Sequence, residues 1–105
     1  MPDVDVFAAL ANPVRRQILR RLQDGPQMAG DLARGFEIGR PAVSEHLQVL
    51  RRAELVREEP RGRERYYYLD PRPLAEVNVW LETFSRYWAQ RMQAIEELLD
   101  QGDGR

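Results

Sequence analysis

Between residues 40 and 52, apolar and polar positions alternate with the period of an amphipathic α-helix. Apolar side chains recur at intervals of four and three residues and form one stripe: Val43, Leu47 and Leu50. Pro41 suits the first turn of a helix, where its missing N–H is not needed. No glycine or proline follows until Pro60. We therefore predict a helix over residues 40–52 and interpret the rest of the chain around it.

The opposite face of this helix carries polar side chains that can form hydrogen bonds, without the pattern of a uniformly charged solvent-facing surface. The residues on or beside this face are Arg40, Pro41, Ser44, Glu45, Gln48, Arg51 and Arg52. In the major groove, glutamine binds adenine and arginine binds guanine through paired hydrogen bonds. We predict that this face contacts DNA, with Glu45 accepting from cytosine. Taken alone, the stretch fits an ordinary amphipathic surface helix equally well.

Three shorter helices are predicted before residue 40. The first covers residues 4–10, and the second starts with the Asn–Pro signal at residues 12–13. The buried face of the second helix is formed by Val14, Ile18, Leu19 and Leu22. The third covers residues 27–36, and residues 37–39 connect it to helix 40–52. Two short helices joined by such a turn are typical of a helix-turn-helix, whose second helix enters the major groove.

A β-hairpin is predicted directly after the helix-turn-helix. Residues 55–59 and 64–69 have strand character, the second segment being rich in aromatic residues, and residues 60–63 form the turn. A hairpin at this position with arginines at its tip is a wing. We predict that it binds the phosphate backbone through Arg61, Arg63 and Arg65; the alternative is a plain solvent-exposed turn.

Residues 74–100 contain neither glycine nor proline, which predicts one helix about 40 Å long at helical rise. Its apolar residues follow a three-four alternation, and the stripe is too long for a small domain to cover. We infer that part of it packs on the domain and part on a second copy. The predicted dimer interface consists of Val77, Trp80, Leu81, Phe84, Trp88, Met92 and Ile95.

Composition narrows the classes of function. The chain has no cysteine and a single histidine, His46, so thiolate sites and thiol redox sensing are excluded. A zinc site needs three or four ligands, and we expect neither a metal nor a cofactor. No glycine-rich phosphate loop or catalytic constellation supports an enzyme. No apolar run approaches the roughly 18 residues of a membrane span, and the acidic N-terminus lacks a signal-peptide start, so a cytoplasmic location is expected.

The net charge of −1 conceals an uneven distribution. All 16 basic residues are arginine, and 13 of them lie among residues 1–75 together with 11 acidic residues. DNA binding must therefore rest on the local placement of charge. Four arginines of the second helix are interpreted as surface or ion-paired residues: Arg15, Arg16, Arg20 and Arg21. An alternative function is a winged-helix adaptor that binds another protein through its long helix, which Glu45, Glu58 and Glu59 near the DNA face favour slightly.

The segments ALANPVRRQIL, GDLARGF, PAVSEHLQVLRRAELV and the Arg-Gly-Arg turn before YYYL resemble the ArsR family of winged-helix repressors. MAGDLA, PAVSEHL and the element around Trp80 are similar to the cysteine-free sporulation-delay autorepressor branch of that family. The resemblance implies a homodimeric transcriptional repressor or autorepressor on an operator inverted repeat in double-stranded DNA, with the terminal helix in the dimer interface. Met28 and Gly30 stand where the metal sensors of the family carry cysteines.

These observations together predict a mainly α fold with a small β-hairpin. It is a winged helix-turn-helix of element order α-α-α-α-β-β-α with a long C-terminal dimerisation helix. We expect a single domain over residues 1–105, in which residues 1–73 form the DNA-binding core and wing and residues 74–100 form the dimerisation helix. The expected function is sequence-specific DNA binding by a transcriptional regulator.

Overall fold

The computed structural model describes residues 2–103, and residues 1, 104 and 105 of the predicted domain lie outside this range. The elements in chain order are α1 (Val6–Leu10), α2 (Pro13–Leu22), β1 (Gln27–Met28), α3 (Ala29–Ala33), α4 (Arg40–Arg52), β2 (Val56–Arg61), β3 (Glu64–Leu69), α5 (Leu74–Glu82) and α6 (Ser85–Asp103). The mainly helical class with a small antiparallel hairpin is confirmed. The residues up to 75 form one compact unit, and those from 76 form a second.

Local capping sets the starts of the first two helices. Asn12 Oδ1 accepts hydrogen bonds from the backbone N–H groups of Val14 (2.8 Å) and Arg15 (3.1 Å), so the predicted start of α2 is confirmed. Helix α1 begins two residues later than predicted, because the Asp5 side chain accepts from the Phe7 N–H at 3.3 Å and acts as its N-cap.

The predicted helix over residues 27–36 is wrong at both ends. Gln27 and Met28 form β1, which pairs antiparallel with Tyr67 and Tyr66 of β3, and α3 ends at Ala33. The partners of β1 lie far along the chain, so nothing in the local pattern indicated a strand. The correct element order is therefore α-α-β-α-α-β-β-α-α.

Arginines of α2 bind the carbonyl ends of neighbouring helices. The bonds run from Arg15 to Ala9 (2.7 Å) and Ala8 (3.1 Å), from Arg16 to Leu10 (2.7 Å), and from Arg21 to Leu32 (2.6 Å) and Asp31 (3.2 Å). Carbonyls in the last turn of a helix have no partner within the helix, and each guanidinium offers five donors. These three arginines, which were interpreted as surface or ion-paired residues, therefore hold the fold through hydrogen bonds to neutral backbone groups.

Helix α4 has the predicted bounds, and its apolar stripe is completely buried: Val43, Leu47 and Leu50. Ile18, Leu19 and Leu22 of α2 are buried too, whereas Val14 is half-buried. The end of α4 is a left-handed cap in which Glu54 has φ 63°. The Leu55 N–H donates to the Leu50 carbonyl at 3.0 Å, which closes the helix. This cap turns the chain directly from α4 into the wing.

The three strands form one antiparallel sheet of order β1-β3-β2. Strand β3 has the predicted bounds, but β2 extends through Pro60 to Arg61, and only Gly62 and Arg63 remain in the turn. The predicted end of the strand at residue 59 was wrong because a proline is tolerated on an edge strand, where its missing N–H breaks no ladder bond. Gly62 has φ +63°, which a tight turn of this kind requires.

The predicted single helix over residues 74–100 is interrupted at residues 83–84. The Thr83 hydroxyl donates to the Trp80 carbonyl at 2.7 Å, and the Phe84 N–H donates to the Leu81 carbonyl at 3.0 Å. These bonds span three residues instead of four, so the helical ladder stops and restarts at Ser85. The expectation of a long C-terminal helix is met by α6.

Asp70 anchors the segment that leaves β3. Its backbone N–H donates to the Leu55 carbonyl at 2.8 Å, and its carboxylate is buried. Arg72 donates to that carboxylate through Nε (2.9 Å) and Nη2 (2.6 Å), and Arg57 lies 4.0 Å away. The Arg72 hydrogen bonds outweigh the effect of burial and lower the pKa of Asp70 to about 2.

We expect Asp70→Asn to unfold at lower urea concentration than the wild type at pH 7. Because the folded-state pKa lies below the ordinary value near 4, the carboxylate stabilises the fold at pH values above 4, and its contribution disappears as the pH falls toward 2. Urea titrations at pH 7, 4 and 2 should therefore show the two midpoints converging. Asp24→Asn, at an exposed turn, is the control. If the difference between the urea midpoints of Asp70→Asn and the wild type were the same at all three pH values, this role of the Asp70 charge would be contradicted.

Candidate DNA-binding surface

The outer face of α4 is open to solvent over its whole length. The exposed residues on this face are Arg40, Pro41, Glu45 and Gln48, and Ser44 is half-buried. The apolar stripe on the opposite face packs into the core, so the helix can present only this polar face to a partner. The Arg40 guanidinium extends over α3, 3.9 Å from where a side chain at Gly30 would begin. The face predicted to read bases is thus built on a rigid element.

A groove of about 350 Å³ separates the start of α4 from the inner face of the wing. Arg40 and Ser44 line it from the helix, and Arg63 and Arg65 line it from the hairpin, with Met28 at its edge. Four of the predicted DNA-binding residues therefore surround one concave surface. Strand β1, which the sequence did not reveal, contributes to this arrangement by pairing with the inner part of β3.

Arg61 lies on the other side of the wing. Its guanidinium stacks over the ring of Tyr66 at 4.6 Å and of Tyr68 at 5.5 Å, and it donates a hydrogen bond to the Tyr68 hydroxyl. Successive side chains of a strand point to opposite faces, which places this stack away from the groove. The three wing arginines predicted as one group are therefore divided between two faces.

A buried carboxylate joins the wing to the end of α4. Glu58 Oε2 lies 3.2 Å from Arg51 Nη1, and Arg65 donates to the other carboxylate oxygen. Tyr67 lies directly opposite Glu58 in the paired strands. Burial alone would raise the pKa of Glu58, but the Arg65 and Tyr67 hydrogen bonds and the Arg51 charge lower it below its ordinary value. Burial and the neighbouring carboxylate raise the pKa of Tyr67.

The remaining predicted residues at the end of α4 take part in contacts within the chain. Arg51 Nη1 also donates to Gln48 Oε1 at 3.3 Å, so a continuous chain of polar contacts runs from the middle of α4 to the wing. Arg52 Nε lies 3.8 Å from the Asp3 carboxylate, and both side chains are exposed. The DNA-binding roles of these arginines stay predictions.

His46 lies on α4 and is half-buried. Arg15 Nη1 lies 3.3 Å from its Nδ1, and since a guanidinium can only donate, Nδ1 is the acceptor. The expectation of a packed or hydrogen-bonded histidine is confirmed. Across residues 2–103, no group of three or more potential metal-ligating His, Cys, Asp or Glu side chains is found. Nor does any helix in that range combine the length and apolar character needed to cross a bilayer.

Sequence reasoning missed the role of Glu58, which it grouped with Glu45 and Glu59 as acidic residues near the DNA face. The signal was present in the strand period: Glu58 shares a face with Val56, which is buried. A carboxylate on the inward face of a strand needs cationic or hydrogen-bonding partners. The residues that could supply them, Arg51 and Arg65, had been assigned to DNA alone.

Large apolar side chains are exposed along α5 and α6. Of the seven predicted interface residues Val77 is half-buried, and six are exposed: Trp80, Leu81, Phe84, Trp88, Met92 and Ile95. The Trp80 and Phe84 rings meet edge to face at 5.1 Å, next to an apolar concavity of about 630 Å³ that Trp88 also lines. Contiguous exposed apolar surface of this kind marks an interaction site.

Comparison with known proteins places the chain among helix-turn-helix transcriptional regulators. Residues 10–59 match the family model described as a helix-turn-helix domain. The chain is 44% identical over 98 residues to the HTH-type transcriptional regulator Rv2034 of Mycobacterium tuberculosis, covering 92% of this chain and 89% of that protein. It is 38% identical over 80 residues to the transcriptional repressor SdpR of Bacillus subtilis, covering 76% and 89%. The crystal structure of an ArsR family transcriptional regulator superimposes with a TM-score of 0.72 at 32% identity, covering 81% and 93%.

Proposed function

Because the chain belongs to the ArsR family of helix-turn-helix transcriptional regulators, we propose that it is a homodimeric, cytoplasmic repressor or autorepressor that binds an operator inverted repeat. The family resemblance of the sequence is confirmed, and so are DNA binding by a transcriptional regulator and the absence of an enzymatic role, since these relatives are regulators and not enzymes. Repression is proposed by similarity to SdpR, which is named a transcriptional repressor.

The observation that carries the proposal is the groove between α4 and the wing. Two arginines converge there, Arg40 from α4 and Arg63 from the turn of the wing, and neither has an ion-pair partner within residues 2–103. Helix α4 enters the major groove in this proposal, while the wing follows the adjacent backbone. Ser44, Glu45 and Gln48 then face base edges, where hydrogen bonds specify sequence, and Arg63 and Arg65 reach phosphates, which give affinity.

A symmetric dimer is proposed because one helix-turn-helix reads only one half-site. Two copies related by a two-fold axis present two α4 helices to successive major grooves, which matches an inverted repeat. The exposed apolar stripe of α6, which includes Trp88, Met92 and Ile95, supplies the surface for that contact. The proposal that the long helix instead serves a protein-interaction adaptor loses one of its supports, because Glu58 is buried beneath two arginines.

Base reading by α4 is tested with Gln48→Ala. Selection from a random duplex pool should give a binding profile in which the preference at one base pair per half-site is relaxed, because one bidentate contact contributes about 1–3 kcal/mol of discrimination. Gln17→Ala, on the exposed side of α2, should leave the profile unchanged. If Gln48→Ala gave the wild-type profile, the side chain would face phosphate or solvent.

Failure of the wild type to form any salt-sensitive, sequence-specific complex in that selection, or with its own promoter, would contradict operator binding itself. The adaptor alternative predicts this result, because a protein-binding winged helix has no need to discriminate between duplexes. A specific complex that weakens with added salt supports the proposed function, since phosphate contacts release counterions.

A further inference from the structure

The Glu58 carboxylate is placed beneath the DNA-facing surface rather than on it. Its side chain is only 8% exposed, whereas the two arginines that bind it, Arg51 and Arg65, are 42% and 70% exposed. The Glu58 carboxylate is thus shielded from solvent, because the Arg51 and Arg65 guanidinium groups cover it. Each guanidinium has five donors, so contact with Glu58 leaves N–H groups free for a second acceptor.

The two arginines come from different elements. Arg51 belongs to the last turn of α4 and Arg65 to the inner face of β3, and a single carboxylate with one oxygen for each holds them together. Tyr67 pairs directly with Glu58 across the two strands, so the two side chains lie on the same face of the sheet. The cluster therefore links the base-reading helix to the backbone-binding wing through side chains.

We propose that Glu58 is a positioning residue that determines how strongly the protein discriminates its operator from other DNA. It keeps the Arg51 and Arg65 guanidinium groups in one orientation relative to α4. The two arginines then contact phosphates only when the helix is bound to the correct base pairs. It also cancels part of their charge, which weakens binding to arbitrary duplexes. This inference rests on the proposed function, because it assumes an operator.

The physical reason lies in the difference between specific and non-specific complexes. Non-specific binding depends on net positive charge near the backbone and tolerates mobile side chains. Specific binding requires phosphate contacts and base contacts to be satisfied in one register. Removing Glu58 leaves Arg51 and Arg65 without their carboxylate partner, which favours the non-specific complex. It also loosens the link between α4 and β3, which disfavours the specific complex.

The test compares Glu58→Gln with Glu59→Gln. Both substitutions remove one negative charge from β2, but Glu59 lies on the outer face of the wing, where it is exposed and pairs with Arg57 at 3.8 Å. Dissociation constants are measured by fluorescence anisotropy for the selected operator and for a random-sequence duplex at several salt concentrations. The specificity ratio is the dissociation constant for the random-sequence duplex divided by that for the operator.

We expect Glu58→Gln to bind the random duplex more tightly, with a steeper salt dependence, and to lower the specificity ratio about tenfold, the amount that one mismatched base pair typically costs. Glu59→Gln should change both affinities by the same small factor and leave the ratio unaltered. Equal ratios in the two variants would overturn the proposal. Absence of a specific complex in the wild type would instead refute the proposed function, so the two failures are distinguishable.

A second comparison separates positioning from loss of folding. In a background that carries both Arg51→Gln and Arg65→Gln, the groups through which Glu58 acts are absent, so adding Glu58→Gln should no longer change the specificity ratio. Thermal unfolding followed by circular dichroism identifies variants that fail to fold. A ratio that still falls about tenfold in the folded background would show that Glu58 acts by another route and would contradict the proposal.

Discussion

Replacing Trp88 with Asp is expected to convert the protein from a dimer into monomers at micromolar concentration. Trp88 is 65% exposed in the middle of an apolar stripe that includes Phe84 and Met92, which in our proposal is covered by the second copy. A carboxylate there would be buried without a partner, at a cost of roughly 3–5 kcal/mol. Self-association would weaken by at least about 100-fold, and sedimentation velocity would report the change directly.

The same substitution should weaken operator binding strongly, because two half-sites would then be occupied by independent monomers. Gln90→Asp is the matched control, since it places the same charge on the same helix outside the predicted stripe. It should leave both the dimer and the DNA complex intact. A wild-type protein that sediments as a monomer at micromolar concentration would contradict the dimer, and so would a Trp88→Asp variant that remains dimeric.

The second large effect is expected for Arg63→Ala. Arg63 lines the groove together with Arg40, so its loss should remove a phosphate contact and lower the affinity for all duplexes by about the same factor. The slope of log affinity against log salt should become shallower by roughly one. Gel shifts or anisotropy titrations between low and physiological salt would measure both quantities.

Arg61→Ala is the internal comparison for that experiment. It removes the same charge two residues away, but from the outer face of the wing, where Arg61 stacks on Tyr66 and Tyr68. We expect a smaller loss of affinity and little change of the salt slope. If the two variants behaved identically, the tyrosine stack would have to open on DNA, and the original grouping of Arg61 with Arg63 would be the better description.

The sequence was most informative where structure depends on neighbouring residues. Helix α4 was predicted with its correct bounds because its apolar stripe and Pro41 are local signals, and the bounds of β3 followed from the aromatic run before Asp70. The Asn12 cap is local as well. Helix α4 and the hairpin that ends in β3 follow each other directly in the chain. The candidate site could therefore be located from the sequence before its geometry was known.

The features that were missed depend on distant or competing contacts. Strand β1 exists only because Gln27 and Met28 meet β3, and the break before α6 occurs because the Thr83 hydroxyl competes for a backbone carbonyl, with neither glycine nor proline to indicate it. The partner of Glu58 on α4 could not be identified either, since pairing Arg51 with a strand residue requires the three-dimensional fold.

The arginines that bind helix ends have a consequence for chemical footprinting of the DNA complex. Dicarbonyl reagents that modify arginine attack the guanidinium nitrogens, and in Arg15 and Arg21 both terminal nitrogens already donate hydrogen bonds. Arg40 and Arg63 are exposed and open to the reagent. Since the chain contains no lysine, lysine side chains cannot compete for the label, and protection by DNA can be read from the arginines that line the groove.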